Sequence, residues 1–353
     1  MLFQDVLSGY VHGELPFSDL SYTTVLNAPG SAKLTTDLDP GVSHVTAQSL
    51  VPGAATALYI ERHGRIVWSG LLWDAAPDYT TSTLTLECEG WLSYFRRRHI
   101  HTSRQYIHWD QADIARDLLQ HAGTYGPSSR LGMIEYGREM TGVARDRTYK
   151  ESERKSIGEA VEQLADVIDG FDFAFRAEWS GPDADELAVR FVIDYPRTGR
   201  DRDMSLVDGQ NCSILSATVG GKSLSTFALA SGAGDGDEQL WTTSDRPSLV
   251  HPRLEEVASY SDVKELPTLQ GKADRIVRQG SHPVVLPKIE LYPDALPGLD
   301  SIAVGDQVAV TGGYGLVLIA GTWRVTEIAV SVDDAGADDA TLTVAPMEVF
   351  ADV

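Results

Sequence analysis

Two cysteines, nine histidines and 51 carboxylates are the side chains of this 353-residue sequence best suited to chemistry, and their spacing matches no familiar catalytic arrangement. Nucleophilic catalysis needs a Ser or Cys beside a His that a third group orients, set on a sharp turn. No Gly-x-Ser-x-Gly run occurs, and Cys88 falls inside a regularly alternating stretch that assigns its thiol to a core face. His99 and His101 could place two metal ligands on one strand face, with His108 as a third. The run Arg96-Arg97-Arg98 beside them favours solvated surface histidines instead, and the run itself reads as a subunit-contact or solvated patch. Gly232-Ala-Gly-Asp-Gly236 lacks the Lys-Ser/Thr of a phosphate loop and is acidic where phosphate would sit, so it reads as a solvated turn. Acid-base carboxylate pairs are not picked out by spacing among so many candidates. No catalytic, cofactor-binding or metal-ligating residue is therefore assigned, and no cofactor is expected.

The 51 acidic against 29 basic residues give a net charge of -22, with a pI near 4.7. A protein that grips nucleic acid neutralises phosphates with Lys and Arg, and this chain carries the opposite field, which argues against tight DNA binding. No stretch approaches the roughly 18 apolar residues of a membrane span, and the first residues lack a basic segment and an apolar signal core. The distant Cys88 and Cys212 read as reduced buried thiols, pointing to synthesis in the cytoplasm.

The length suits two to four domains. Ser21 to Leu26 reads as a strand, and Ala57–Arg62, His63-Gly64 and Arg65–Gly70 as a hairpin. In residues 83–89, Leu84, Leu86 and Cys88 share one face while Thr83, Thr85, Glu87 and Glu89 share the other, the period of a half-buried strand. Helical spacing follows. Asp110 caps a helix carrying Ile114, Leu118 and Leu119 and stopping at Gly123. Ser156 with Glu159 forms a capping box for a helix whose stripe is Ile157, Val161, Leu164 and Ile168, ended by Gly170. Phe171, Phe173, Phe175 and Trp179 then alternate, as do Leu187, Val189, Phe191, Ile193 and Tyr195, across the turn at residues 180–183. Beyond residue 210 strands return, interrupted by a helix at Thr268–Gln279 and a Pro-bounded strand at Val284–Leu291. Further strands are expected at residues 304–310, 316–319, 323–332 and 340–344.

The two ends echo each other, and self-similarity bears on architecture before any motif does. Near the start a strand pair runs into Trp68-Ser-Gly-Leu-Leu-Trp73, an acidic loop at 74–78, then Ser82-Thr-Leu-Thr-Leu86. Near the end a strand pair runs into Ala320-Gly-Thr-Trp-Arg-Val325, an acidic loop at 333–339, then Ala340-Thr-Leu-Thr-Val344. The expected fold class is mainly β with an α+β insert: two related small β-barrels separated by a helix-containing α+β domain, plus a small inserted subdomain. The bounds are 1–101 for the first barrel, 102–205 for the α+β domain, 206–246 with 298–353 for the second barrel, and 247–297 for the inserted subdomain.

This order of elements resembles the tail hub, or baseplate hub, proteins of tailed phages, often labelled minor tail proteins. The stretches that carry the resemblance are Val67-Trp-Ser-Gly-Leu-Leu72 and Leu299-Asp-Ser-Ile-Ala-Val-Gly-Asp-Gln-Val308 leading to Trp323-Arg-Val325. The resemblance implies a non-enzymatic homotrimer in the virion tail tip, with six barrel units ringing a channel that DNA crosses without specific binding. It also implies distal tail ring, tape-measure and tip or fibre proteins as partners. No catalytic residues carry over, and nothing follows the last strand except Glu348 to Val353. The alternatives are a distal tail ring protein, a receptor-binding adhesin, the hub of a contractile injection system, or a cell-wall-degrading enzyme.

Overall fold

The structure is a computed structural model; it describes the chain apart from residues 39–49, 127–130, 168, 182–185, 235, 261–262, 264, 282–283, 297, 314, 316, 335, 337 and 348–353. Ile168, Pro182, Asp183, Asp235, Leu316 and the tail from Glu348 therefore lie outside the described residues, as do Ala335 and Ala337 of the second acidic loop.

The described part of the chain opens with strands β1 (Leu2–Asp5), β2 (Val11–Glu14), β3 (Asp19–Val25), β4 (Ser31–Asp37), β5 (Thr56–Arg62), β6 (Arg65–Asp78) and β7 (Thr83–Gly90). The β5–β6 turn is the expected one: His63 and Gly64 both take positive φ, 49° and 76°, which a two-residue turn between right-twisted strands requires. β7 keeps its alternation, with Leu84, Leu86 and Cys88 buried. β5 is instead buried on both faces over Ala57, Leu58, Tyr59 and Ile60, which is why its sequence reads as an unbroken apolar run.

An α+β segment follows, with helices at Leu92–Arg96, Gln111–Ala122 and Ile157–Ala165 and strands β8 (Arg104–Asp110), β9 (Ile134–Tyr136), β10 (Ala144–Tyr149), β11 (Asp172–Ser180) and β12 (Glu186–Asp194). Both caps form as read: Asp110 accepts from the Ala112 N–H at 2.8 Å, and Ser156 Oγ from the Glu159 N–H at 3.4 Å. The third helix stops at Ala165, short of the expected end, with Asp166 as its C-cap. Tyr195, expected on the buried face of β12, lies past the strand's end and is half exposed.

The rest of the chain comprises β13 (Asp201–Val207), β14 (Cys212–Gly220), β15 (Phe227–Ser231), β16 (Trp241–Asp245), β17 (Glu255–Ser259), a helix at Leu266–Gln279, β18 (Val284–Leu291), β19 (Gln307–Gly312), β20 (Ile319–Asp333) and β21 (Asp338–Pro346). The expected bounds put β15 and β16 in the second barrel and β18 in the inserted subdomain. In the structure β15 pairs with β16 and β17, packing Ala228 and Ala230 against Leu269, Ala273 and Val277 of the helix, while β18 pairs with β14 and β21. Non-local pairing decides these memberships, and local pattern carries no trace of it.

Among the described residues the main sheet has 13 strands in the order β14-β18-β21-β20-β3-β4-β7-β6-β5-β1-β2, with β19 and β13 branching from β20. The mainly-β class with an α+β insert holds. The two barrel regions, however, do not close separately through their ladders among the described residues; β20 pairs with β3 and joins them into one sheet around one core. That core combines Leu34, Leu58, Leu72 and Leu86 with Val308, Val325, Leu342 and Val344. A second core packs Ala57, Tyr59 and Leu71 against Trp91, Phe95, Ile114, Val161 and Phe191, so the α+β segment covers the outer side of β5 and β6.

Candidate functional site

The echo between the two ends is a matched set of five strands. β3-β4-β7-β6-β5 and β14-β18-β21-β20-β19 occur in the same spatial order, in the same sequence order and with the same antiparallel directions. Their registers coincide. In the first set Leu71 faces Ala57 on one side and Glu89 on the other; in the second Arg324 faces Gln307 and Ala345. One residue after the next pair, each long strand bulges, at Trp73 in β6 and at Thr326 in β20. A bulge bends its strand and sharpens the local twist, so both long strands turn at the same place. With the bulges aligned, Lys33 corresponds to Lys288, Leu86 to Leu342, Ser21 to Ser216 and Thr23 to Thr218. The sets diverge next to β5 and β19, where β1 pairs antiparallel and β13 parallel.

Because strand side chains alternate, the buried face of these sheets defines an opposite, polar one. On β3, β4, β7 and β6 it carries Asp19, Asp37, Glu87, Glu89, Asp74 and Asp78 among Ser and Thr side chains. On β20, β21 and β18 it continues with Glu327, Asp333, Asp339 and Glu290. Lys33 and Lys288 oppose them, and the Lys33–Glu87 pair is loose at 3.9 Å and exposed. A shallow cavity of about 400 Å³ spans the junction, lined by Ser21, Lys33, Asp74, Glu87, Ser331 and Asp339. Such a face repels a polyanion over roughly a Debye length, about 8 Å at physiological salt.

Buried polar contacts hold the α+β segment to both sets. Arg324, on β20, donates to Asp172 and to the Thr198 and Gly305 carbonyls. Asp172 also accepts from Asn27 Nδ2 at 2.9 Å and the Thr198 N–H at 2.7 Å. The bulge residue Trp73 donates its indole N–H to Ser93 Oγ at 2.9 Å and lies under the Arg97 guanidinium.

The candidate chemical groups are dispersed. His99 bridges to Ser156 by backbone pairing, the His101 ring lies tilted against Tyr125 with centroids 4.7 Å apart, and His108 sits on β8 with its backbone N–H bonded to Asp146. Among the described residues no group of three His, Cys, Asp or Glu is placed to hold a metal ion. Burial pushes the Cys88 thiol up to about 12 and the Cys212 thiol up to about 11, far from a reactive thiolate. The basic run is engaged within the chain: Arg96 pairs with Glu162 at 2.5 Å, Arg97 covers Trp73, and Arg98 donates to the Ala122 carbonyl at 2.8 Å. In the glycine run, Gly232 is buried, and the Gly232 and Ala233 N–H groups bond to the Leu240 and Val263 carbonyls, closing a hairpin end. Sequence reasoning missed Arg324 and Asp172. An arginine between Trp323 and Val325 reads as the polar position of an alternating strand, and only the fold buries it.

No protein-family model matches the sequence, and no curated protein matches it. Solved structures do. The chain is similar to the 43 kDa tail protein of prophage MuSo2 from Shewanella oneidensis, with TM-score 0.64 and 14% identity over 99% of this chain and 98% of that one. It is similar to the tail protein from Neisseria meningitidis MC58, with TM-score 0.63 and 12% identity over 99% and 97%. It is also similar to the E. coli c3393 protein, a component of the type VI secretion system, with TM-score 0.52 and 11% identity over 98% of this chain and 76% of that one. The chain has the fold of phage tail proteins along nearly its whole length.

Proposed function

We propose that the chain is a non-enzymatic structural component of a phage tail tip: a homotrimeric hub, made in the host cytoplasm and carried in the virion. The observation that carries the reading is the repeated five-strand unit. Two such units per chain and three chains make six around an axis, a number that fits a sixfold tube on one side and a threefold tip on the other. On this reading the tube-side neighbours are a distal tail ring protein and a tape-measure protein, and the far side joins tip or fibre proteins. The acidic sheet face lines the channel and keeps passing DNA from adhering, without specific binding.

The test is mass and symmetry. A trimer in solution, and threefold density at the tail tip in the particle, are expected; a stable monomer that turns over purified cell wall overturns the reading. Glu87→Lys with Asp339→Lys should slow DNA release, and unchanged release would remove the role given to the acidic face. A second reading, the hub of a contractile injection system, draws support from the likeness to the type VI secretion component. A gene neighbourhood holding a contractile sheath would favour it.

A further inference from the structure

We propose that neighbouring copies of this chain join by strand pairing: residues 74–78 on the open edge of β6 pair antiparallel with residues 216–220 on the open edge of β14 of the next copy. The proposal rests on the ring reading above and specifies its seam. Within one chain this joint already exists once. The half of β20 beyond its bulge pairs with β3, setting Glu327 opposite Val25, Ala329 opposite Thr23 and Ser331 opposite Ser21.

With the two sets exchanged, the segments equivalent to this joint are those same residues: β6 of the first set corresponds to β20, and β14 of the second to β3. Both carry a strand partner on one side only; among the described residues neither has a strand on the other. They are largely exposed, and the edge of β14 also leaves the apolar Val219 41% exposed. Unpaired, partly apolar edges invite strand addition. Transferring the register through the aligned bulges sets Asp74 opposite Gly220, Ala76 opposite Thr218 and Asp78 opposite Ser216, and brings Ala75 against Val219.

Pro77 is a telling departure. It stands where β20 has Val330, whose backbone faces β3, because the Leu26 N–H bonds to the Thr326 carbonyl at 2.9 Å and alternate residues share that direction. The edge of β6 thus lacks one donor, and a proline on an edge strand discourages indiscriminate pairing before assembly. The remaining groups serve a partner whose register the flanking faces already specify.

The experiment combines Ala76→Cys and Thr218→Cys in the full chain, a pair that faces at a non-hydrogen-bonded position, where cross-strand side chains approach most closely. Mild oxidation should move most chains to a covalent trimer on a non-reducing gel. Ala76→Cys with Ala217→Cys, which points to the opposite face, should not. Uncross-linked mass is measured alongside. Trimers by mass with no cross-link at 76 and 218 overturn the seam and leave the ring reading standing; monomers by mass with no cross-link overturn both. Independently of any variant, amide exchange at residues 74–78 and 216–220 of the unaltered chain should slow at least tenfold on trimer formation. Unchanged exchange in a trimer overturns the seam.

Discussion

Arg324 donates a hydrogen bond from its guanidinium to the carboxylate of Asp172, a residue 152 positions away, and both side chains are almost wholly withdrawn from water. One end of the contact lies on the second strand set and the other on the α+β segment. Asn27, in the β3–β4 turn of the first set, bonds to the same carboxylate, so three parts of the chain meet at one buried charge. Removing one partner of such a pair strands the other, which costs about 3–5 kcal/mol. Arg324→Leu is expected to lower the urea midpoint accordingly. Arg324→Leu with Asp172→Leu should recover part of that loss, and a single variant as stable as the parent would show that the contact holds nothing together.

His121 gives the α+β segment a pH response. Burial first, and then the Arg104 charge, hold its pKa below the ordinary histidine value. Arg104 Nη2 lies 2.7 Å from Nδ1 and can only donate there, so Nδ1 is the unprotonated nitrogen and Nε2–H points to the Tyr125 hydroxyl at 3.1 Å. A depressed folded pKa contributes stability above the unfolded value near 6.5 and loses it as pH falls through the folded value. Thermal melts should therefore drop between pH 7.5 and pH 5, and the drop should be shallower in His121→Gln.

The two thiols respond in the opposite direction. Their folded values, raised to about 12 and about 11, exceed an ordinary value of 9.0, so their contribution is complete below pH 9 and is lost as pH rises beyond it. A thiol-reactive dye at pH 8 should label neither cysteine in the native protein and both in urea. Rapid native labelling of Cys88 would contradict its place in the core.

Gly90 is a steric requirement. It faces Gly70 across the β6–β7 ladder, and a Cβ on Gly90 would come within 1.8 Å of the Pro29 carbonyl oxygen. The obstacle is backbone and cannot swing aside. Gly90→Ala should destabilise the protein by about 1–3 kcal/mol or more, the usual cost of forcing extra volume into a packed site, read as a lower melting temperature.

What could be read in the sequence was what neighbouring residues decide. Asp110 and Ser156 cap their helices because a cap needs only a side chain and an N–H two or three residues on. The echo was legible in its order but not in its register. Matched letter by letter, Ser82-Thr-Leu-Thr-Leu86 and Ala340-Thr-Leu-Thr-Val344 put Leu84 on Leu342; the ladders put Leu86 there. A strand repeats every two residues, so a slip of two leaves every face unchanged and only the bulges reveal it. β18 was legible as a strand from Val284 to Leu291, but its place between β14 and β21 depends on partners far along the chain. The polar face emerged only once the two sets were joined, since its carboxylates come from strands at opposite ends of the sequence.

The β3–β4 turn and the stretch between β14 and β18 occupy equivalent tips, yet one is a tight loop tied to Asp172 through Asn27 and the other has grown into a helix and a small sheet. For protein engineering the two tips are not interchangeable. A fluorescent domain or epitope spliced in after Gly221 extends a site that already tolerates a long excursion, and should leave the molecule foldable and visible. The same cargo placed at Asn27 would pull a fastening from the middle of the structure.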